Sequence, residues 1–318
     1  MPVRNEERHL RAAVRRVLAQ QYAGPMEILL SVGPSEDRTE AIAAELAAAD
    51  PRIRVIENPQ GITPVALNLA IAAAKHSIIV RVDGHGELSA GYIATAVRLL
   101  AETGAANVGG LMDAQGTTPF EQAVAAAYNS RLGLGGGGFH LAQTPAGPAD
   151  TVFLGVFRKE ALAAVGGFDE TLQRAQDWEL NYRLRKAGCQ VYFSPELRVV
   201  YRPRPGWRAL ARQFYRTGQW RREVVRRHPD TLSLRYLAPP ITVAASGFGI
   251  LAALVSAMAR LRWWPAWLVL PLLYLSFLTA ATTVVRDLPG RARAWFPVVL
   301  AIMHGAWGLG FLAGRDRQ

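Results

Sequence analysis

The first part of the chain alternates between short apolar runs and longer segments in which apolar residues recur with helical spacing. The apolar runs have the length and the β-branched content of buried strands. The predicted strands are 26–32, 52–58 and 77–83, and the predicted helices between them are 37–50 and 64–75. This alternation predicts an α/β fold with a mainly parallel sheet and helices on both faces. Ligands of such sheets bind beyond the carboxyl ends of the strands, so polar residues there are the candidates for function.

A turn and a helix precede the first predicted strand. The sequence "NEERHLRAAVRRVLAQ" has helical spacing, and Asn5 is its predicted N-cap. In a sheet of this kind a strand should come before that turn, and the sequence does not contain it. Either the chain begins upstream of Met1, or the sheet lacks one central strand and is less stable for it.

The C-terminal part has a different character, because it contains three runs without a charged residue. They cover 236–259, 263–285 and 294–314. Each approaches the roughly 20 residues with which a helix crosses about 30 Å of hydrocarbon. A buried helical hairpin in a soluble protein is the alternative, but three consecutive runs with arginine-bearing connectors favour insertion. The sequence therefore predicts a multi-pass protein of the cell (plasma) membrane with three transmembrane helices.

The predicted organisation has three parts: an α/β domain at 1–205, an amphipathic interfacial region at 206–235 and membrane helices at 236–314. The N-terminus lacks the apolar core of a signal peptide, so the first two parts are expected in the cytoplasm. The distribution of arginines between the connectors predicts a C-terminus on the outer side of the membrane. Cys189 is the only cysteine, so no disulfide can form within the chain, which suits a reducing compartment.

The formal net charge of +11 is concentrated in one stretch. Residues 198–235 contain 11 arginines against two acids, and they directly precede the first membrane run. That position indicates binding to the headgroups of anionic membrane lipids. The sequence has no signature of a DNA- or RNA-binding fold, so nucleic acid is not an expected partner.

Polar residues with catalytic chemistry stand at the predicted strand ends. Asp83 and His85 follow the third predicted strand, Ser35 and Asp37 lie in the loop after the first, and Asp177 begins a later amphipathic helix. The alternative for the first acid is a structural role as the cap of the next helix. A cap does not call for a histidine two residues later, so function is favoured. These side chains are expected to converge at one mouth of the fold.

With these residues the chain resembles the family 2 glycosyltransferases of the GT-A fold, in particular membrane enzymes of the succinoglycan-biosynthesis type. The resemblance covers residues 1–235 and the membrane helices. Members of the family hold the nucleotide with a Pro-x-x-Asn-Glu turn, which is matched here by Pro2, Asn5 and Glu6. The resemblance implies a nucleotide diphosphate sugar as the donor.

Two further family motifs are matched in part. The acidic Ser-x-Asp loop, a second nucleotide contact, is matched by Ser35 and Asp37, although the acid that usually stands three residues earlier is Val32 here. The catalytic base of a Glu-Asp pair is matched by Asp177, with Gln176 in place of the glutamate.

The family's metal motif is Asp-x-Asp or Asp-x-His, and Asp83 and His85 match it. The resemblance implies Mg²⁺ or Mn²⁺ as the cofactor. A divalent cation on a carboxylate stabilises the charge of a departing diphosphate. A positioned carboxylate such as Asp177 can accept the proton of the acceptor hydroxyl. One base without a second nucleophilic carboxylate implies direct displacement, and therefore inversion of the anomeric centre.

The arginine-rich stretch contains another match. Gln213, Arg216 and Trp220 are spaced for one side of an amphipathic helix. They resemble a Gln-x-x-Arg-Trp element with which related membrane synthases cover the active site, although three residues separate the arginine from the tryptophan here. The resemblance implies contact of Arg216 with diphosphate and of Trp220 with the acceptor sugar. A lipid-linked sugar acceptor would explain the membrane helices, and three spans are few for a polysaccharide channel.

Two rival functions stay open. One is transfer to polyprenyl phosphate, an ionised acceptor that would not need Asp177 as a base. The other is a catalytically inactive membrane scaffold of the same fold, for which the missing strand, Val32 and Gln176 are the evidence. The glycine-rich segment 133–138 follows a helical run rather than a strand, so it does not indicate a dinucleotide site. A loop over the donor and an ordinary linker are both compatible with it.

Overall fold

The computed structural model describes residues 1–135 and 138–314, which form two compact units. Unit 1 is Met1–Asp113 with Gly138–Tyr201, and unit 2 is Ala114–Gly137 with Arg202–Gln318. Residues 114–137, which the sequence analysis assigns to the α/β domain, therefore belong to unit 2. Part of the glycine-rich segment lies outside the described residues, so neither interpretation of it is tested.

The strands and helices follow one another along the chain as the hydrophobic pattern requires. The strands are β1 Pro2–Val3, β2 Ile28–Val32, β3 Ile53–Glu57, β4 Ile78–Val80, β5 Glu87–Leu88, β6 Asn107–Ala114, β7 Gly147–Pro148, β8 Phe153–Arg158 and β9 Val191–Tyr201. The helices are α1 Leu10–Leu18, α2 Thr39–Ala49, α3 Thr63–Ala73, α4 Tyr92–Thr103, α5 Pro119–Tyr128, α6 Arg131–Leu134, α7 Lys159–Ala164, α8 Gln176–Lys186, α9 Trp207–Arg227, α10 Leu234–Met258, α11 Val269–Ala281 and α12 Gly290–Ala313.

The parallel sheet of unit 1 has the strand order β1-β2-β3. The predicted strands and helices between 26 and 75 are confirmed, with ends that differ by at most two residues. The strand predicted at 77–83 ends earlier, at Val80. The chain turns after it, since the backbone N–H of Gly86 donates to the carbonyl oxygen of Asp83 at 2.8 Å. Asp83 does not cap the next helix, because β5 stands between them.

The N-terminal turn differs from its prediction in two respects. The strand expected to be missing is present as two residues, since Pro2 and Val3 pair in parallel with Ser31 and Val32. Helix α1 begins only at Leu10. The prediction of Asn5 as an N-cap is therefore wrong, and the reason is a long-range bond.

The backbone of Asn5 has a φ of 55°. Its side-chain oxygen accepts a hydrogen bond from the backbone N–H of Glu36, at 2.9 Å. The side chain therefore fastens the turn to the loop after β2 and is not available to cap the helix.

The second sheet of unit 1 has the order β4-β8-β6-β9-β5, with β7 beside β9. The antiparallel pairs in this sheet are β4 with β8, β6 with β8, β5 with β9 and β7 with β9. The strands β6 and β9 approach closely at Gly110, where a Cβ atom would clash with the carbonyl oxygen of Leu197. Parallel pairing of the kind predicted from the sequence is thus shown for β1, β2 and β3.

Unit 2 is helical in its described part. The amphipathic helix α9 packs lengthwise on α12, and it buries Leu210, Phe214 and Val224. Two glycines make this packing close. A Cβ atom on Gly218 would clash with the carbonyl oxygen of Trp307, and one on Gly310 would clash with that of Tyr215. The apolar side of α9 is therefore covered by a helix of its own unit.

Three helices of unit 2 are long and apolar enough to cross a membrane: Leu234–Met258, Trp264–Ala281 and Gly290–Ala313. The helices α10 and α12 run antiparallel. Tyr236 near the start of α10 stacks on Trp307 near the end of α12, with 6.3 Å between ring centroids. The side-chain amide of Gln219 in α9 donates to the carbonyl oxygen of Gly314 at 2.7 Å. The end of α12 thus lies beside α9 and the start of α10.

The end of α12 lies beside α9, whereas the sequence analysis expects α9 and the C-terminus on opposite sides of the membrane. The membrane orientation of the three candidate spans stays a prediction.

Candidate active site

The two loops that carry the nucleotide motifs are joined by hydrogen bonds in unit 1. The backbone N–H of Asn5 donates to the Ser35 hydroxyl at 3.1 Å, and the backbone N–H of Glu6 donates to the Thr39 hydroxyl at 2.7 Å. The loops after β1 and β2 consequently form one rigid rim at the carboxyl ends of these strands. Pro2, which lies in β1, starts this turn at a fixed register against β2.

Asp37 is held within the same rim. Its carboxylate accepts hydrogen bonds from the backbone N–H groups of Thr39, at 3.0 Å, and of Glu7, at 3.1 Å. The hydrogen bond from the Thr39 hydroxyl is the largest of the effects that lower the pKa of Asp37. The carboxylate is therefore ionised at neutral pH. Its Oδ1 orders the start of α2, and its Oδ2 holds the turn before α1.

The nucleotide turn also touches the predicted metal motif. An oxygen of the Glu6 carboxylate lies 2.7 Å from Nδ1 of His85. Gly84 permits this approach, since a Cβ atom there would lie 2.9 Å from Cγ of Glu6. The loop after β4 is thus fastened to the loop after β1, and three of the sequence motifs meet at one edge.

The predicted metal ligand and the predicted base contact one arginine. Nη2 of Arg81 lies 3.2 Å from Oδ1 of Asp83, and Nη1 forms an ion pair with Oδ1 of Asp177. Arg81 is only 7% exposed, whereas the side chains of Asp83 and Asp177 are 29% and 40% exposed. The structure therefore brings the two carboxylates to one partly open site, as the sequence analysis expects.

The sequence analysis did not single out Arg81. Its signal was present, because an arginine interrupts the apolar run "IIVRV" that follows the strand pattern. A charged residue in a buried stretch requires a partner of opposite charge. That partner could not be identified from the sequence, since Asp177 belongs to a distant helix.

The electrostatics of this cluster are set by burial and by the shared arginine. Burial raises the pKa of Asp177, the positive charge of Arg81 opposes that rise, and the nearby Asp83 adds to it, so the net direction is upward. For Arg81, burial favours a lower pKa, but the two carboxylates outweigh it and the net direction is also upward. Arg81 is consequently a permanent cation at the centre of the site.

Helix α8 presents Asp177 in its first turn. Ala175, directly before the helix, has a φ of 61°, so the chain turns sharply where the helix begins. Asn181 anchors the helix, since its amide donates to the Thr151 hydroxyl at 2.8 Å and its oxygen accepts from Asn107 at 2.7 Å. Gln176, which stands where the family has glutamate, is buried. Asp177 is thus placed by a helix that is fixed to the strands.

The donor set suits a cation that takes further ligands from its substrate. In the described part of the chain, no group of three or more His, Cys, Asp or Glu side chains is arranged to hold a metal ion. In the same described residues, the hydrogen bonds from Arg81 to the Asp83 side chain both reach Oδ1. This leaves Oδ2 of Asp83 for a cation. Mg²⁺ typically binds through one or two carboxylates together with substrate phosphates. The carboxylate of Asp83 fits this pattern, whereas Nδ1 of His85 lies against the Glu6 carboxylate.

The three candidates of the arginine-rich stretch belong to α9 in unit 2. Gln213 is engaged within the unit, donating to the Tyr128 hydroxyl at 3.1 Å and accepting from Arg204 at 3.2 Å. Arg216 is exposed, and Trp220 is only 5% exposed. The three side chains therefore differ in exposure, and their assignment to the acceptor stays a prediction.

Known proteins resemble the chain in sequence and in fold. The family model "Glycosyl transferase family 2" matches residues 1–165. Succinoglycan biosynthesis protein ExoA of Rhizobium meliloti (strain 1021) is 33% identical over 261 residues, which cover 81% of this chain and 78% of ExoA. The mannosyltransferase PcManGT from Pyrobaculum calidifontis, solved in complex with GDP-Man and Mn²⁺, aligns with a TM-score of 0.59 and 20% identity, covering 96% of this chain and 84% of PcManGT.

These findings define the class of the protein as an enzyme, a glycosyltransferase of the GT-A fold. The chain belongs to glycosyl transferase family 2. The family and fold expected from the sequence motifs are thereby confirmed.

Proposed function

We propose that this enzyme transfers a sugar from a nucleotide diphosphate sugar to a lipid-linked saccharide, with inversion of the anomeric centre, during assembly of a cell-surface polysaccharide. The observation that carries the proposal is the contact of Arg81 with both Asp83 and Asp177. It joins a candidate cation ligand and a candidate base in one site. The similarity to ExoA supports the biosynthetic context, and the GDP-Man and Mn²⁺ of PcManGT support a nucleotide sugar and a divalent cation.

Donor binding is assigned to the edge formed by the loops after β1, β2 and β4. Pro2, Asn5, Glu6, Ser35 and Asp37 supply the nucleotide contacts. Asp83 and His85 would hold Mg²⁺ or Mn²⁺, which supplies charge stabilisation to the departing diphosphate when bound. The hydrogen bonds that join these loops keep the contacts in place before the donor arrives.

Asp177 is the proposed general base. Its raised pKa makes it a better proton acceptor than an ordinary aspartate, and its carboxylate is partly exposed to an incoming substrate. The acceptor oxygen forms a bond to the anomeric carbon as the bond to the diphosphate oxygen breaks, and the hydroxyl proton passes to the carboxylate. A single displacement of this kind inverts the anomeric centre.

The acceptor is assigned to the membrane surface. Three helices of unit 2 are candidate spans, and α9 carries a series of arginines that match anionic lipid headgroups. We assign Gln213, Arg216 and Trp220 to the acceptor side, with the exposed Arg216 as the member open to a phosphate group. The catalytic unit, α9 and the end of α12 face the cytoplasm in this proposal.

A product analysis with the purified full-length chain tests the proposal. The protein is incubated with Mn²⁺, a panel of nucleotide diphosphate sugars and extracted lipid-linked saccharides, and the product is examined by NMR. The expected product has a new glycosidic bond of inverted configuration on a saccharide. A sugar attached to polyprenyl phosphate would identify the rival acceptor. Binding of each donor is also measured by calorimetry. An absence of binding for every donor would favour an inactive scaffold.

A further inference from the structure

Arg81 occupies a position that the proposed roles of Asp83 and Asp177 do not explain. Its backbone N–H donates to the carbonyl oxygen of Gly155 in β8 at 3.2 Å, so the main chain is fixed to the sheet. Its guanidinium carbon lies 6.0 Å from the centre of the buried Phe168 ring. A buried, permanently charged group is thus held between two carboxylates.

The planar guanidinium suits this position because its donors point in different directions. Nε and Nη2 reach Asp83, at 3.3 and 3.2 Å, while Nη1 reaches Asp177. A lysine carries the same charge as a single point and cannot form this fork. The arrangement of Asp177 relative to Asp83 is therefore set by the shape of Arg81 as well as by its charge.

We propose that Arg81 is a positioning residue that holds Asp177 in place and weakens the binding of a free cation at Asp83. The inference rests on the proposed function, in which Asp83 binds the cation. A fixed positive charge beside Asp83 repels a dication and occupies Oδ1. The negative charges of a nucleoside diphosphate offset that repulsion. Arg81 thereby couples cation binding to the arrival of the donor.

Two variants separate the charge of Arg81 from its shape. Arg81→Met removes the charge and keeps an unbranched apolar stem, whereas Arg81→Lys keeps the charge and loses the fork. Free Mn²⁺ is measured by electron paramagnetic resonance during titration of the full-length protein, first alone and then with UDP or GDP. Transfer is measured as kcat at saturating donor and Mn²⁺.

The two variants should differ in Mn²⁺ affinity and agree in their loss of kcat. Arg81→Met binds Mn²⁺ alone about tenfold more tightly than the wild type, because a like charge is removed. The gain in Mn²⁺ affinity that UDP or GDP produces becomes smaller in this variant. Arg81→Lys keeps Mn²⁺ affinity close to that of the wild type. Both variants lose about 100-fold or more in kcat, since Asp177 is no longer held.

A purely structural role would move the readouts together, with Mn²⁺ binding and transfer both weakened in Arg81→Met. That result would overturn the inference, and so would wild-type kcat in Arg81→Lys. If Arg81→Met does not fold, as shown by its melting curve, the kcat and Mn²⁺ affinity of Arg81→Lys decide the question. Arg54→Met is the matched control, because it removes an arginine from the mostly buried Glu27 of the same unit. Both readouts should stay at wild-type values there.

Failure of the proposed function has a different signature. If Asp83→Asn binds Mn²⁺ as the wild type does, the cation site itself is wrongly assigned. If Asp83→Asn loses Mn²⁺ while Arg81→Met gains no affinity, the cation site stands and the inference about Arg81 fails.

Discussion

Asp83 and Asp177 contact the same guanidinium, that of Arg81, although one follows strand β4 and the other lies in the first turn of helix α8. A candidate cation ligand and a candidate general base are thus held at one site. The wider arrangement agrees with this relationship, since Glu6 ties the nucleotide turn to His85. The predictions below test these contacts one at a time.

The raised pKa of Asp177 predicts the acid side of the pH profile. A general base must be ionised, so kcat falls as the pH drops through the pKa of Asp177. Because burial raises that pKa, the fall is centred above the ordinary value of 3.8. The measurement is kcat against pH at saturating substrates, with Asp177→Asn for comparison. An identical acid limb in both proteins would assign the titration to another group.

The contact between Glu6 and His85 predicts that one substitution changes both the KM for the donor and the Mn²⁺ requirement. Glu6→Gln removes the negative charge beside Nδ1 of His85. We expect the KM for the donor and the Mn²⁺ requirement each to rise about threefold to tenfold, because a charge-assisted hydrogen bond is replaced by a weaker one. Glu160→Gln changes an exposed carboxylate of α7 and should leave both unchanged. Equal behaviour of the two variants would show that the contact has no functional role.

The close packing of α9 on α12 predicts that substitution of Gly218 lowers the stability of the protein. Gly218→Ala places a methyl group against the carbonyl oxygen of Trp307. The expected cost is about 1–3 kcal/mol of the free energy of unfolding, as for overpacking of a core. It is measured as a lower melting temperature in detergent.

Gly305→Ala in α12 is the control for this substitution, since a Cβ atom there meets nothing within 4 Å. Alanine favours a helix over glycine, so this variant should be at least as stable as the wild type. A similar loss in both variants would show that tight packing at Gly218 is not the cause.

The antiparallel packing of α10 and α12 predicts the topology of the chain. With Cys189→Ser as background, single cysteines are placed at Leu234 and Leu312, whose side chains are 83% and 45% exposed. Both should react with a membrane-impermeant maleimide from the cytoplasmic side. A cysteine at Leu261, just after α10, should react from the other side. Labelling of positions 234 and 312 from opposite sides would contradict this arrangement.

Local patterns in the sequence were sufficient for much of unit 1. The β2-α2-β3-α3 succession follows from apolar periodicity, and the placement of polar residues at strand ends follows from the rule for parallel strands. The proximity of Asp83 and Asp177 was expected from the same reasoning. These features depend on neighbouring residues or on general topology, which a single sequence records.

The features that were missed depend on partners that are distant in the chain. Asn5 was predicted as a helix cap, but it bonds the loop after β2. The ion pair of Arg81 with Asp177 forms only when α8 folds against the end of β4. The close packing of α12 on α9 depends on glycine contacts that charge counting does not record. Long-range packing decides each of these cases.

The most direct test of the account is kcat of Asp177→Asn, measured at saturating donor, Mn²⁺ and lipid-linked acceptor. The substitution removes the proton-accepting charge and nearly preserves the shape of the side chain. The account predicts a loss of about 100-fold to 10,000-fold in kcat, with Mn²⁺ affinity and donor KM within about threefold of the wild type. Transfer at the wild-type rate would contradict it, because the acceptor would then not give its proton to Asp177.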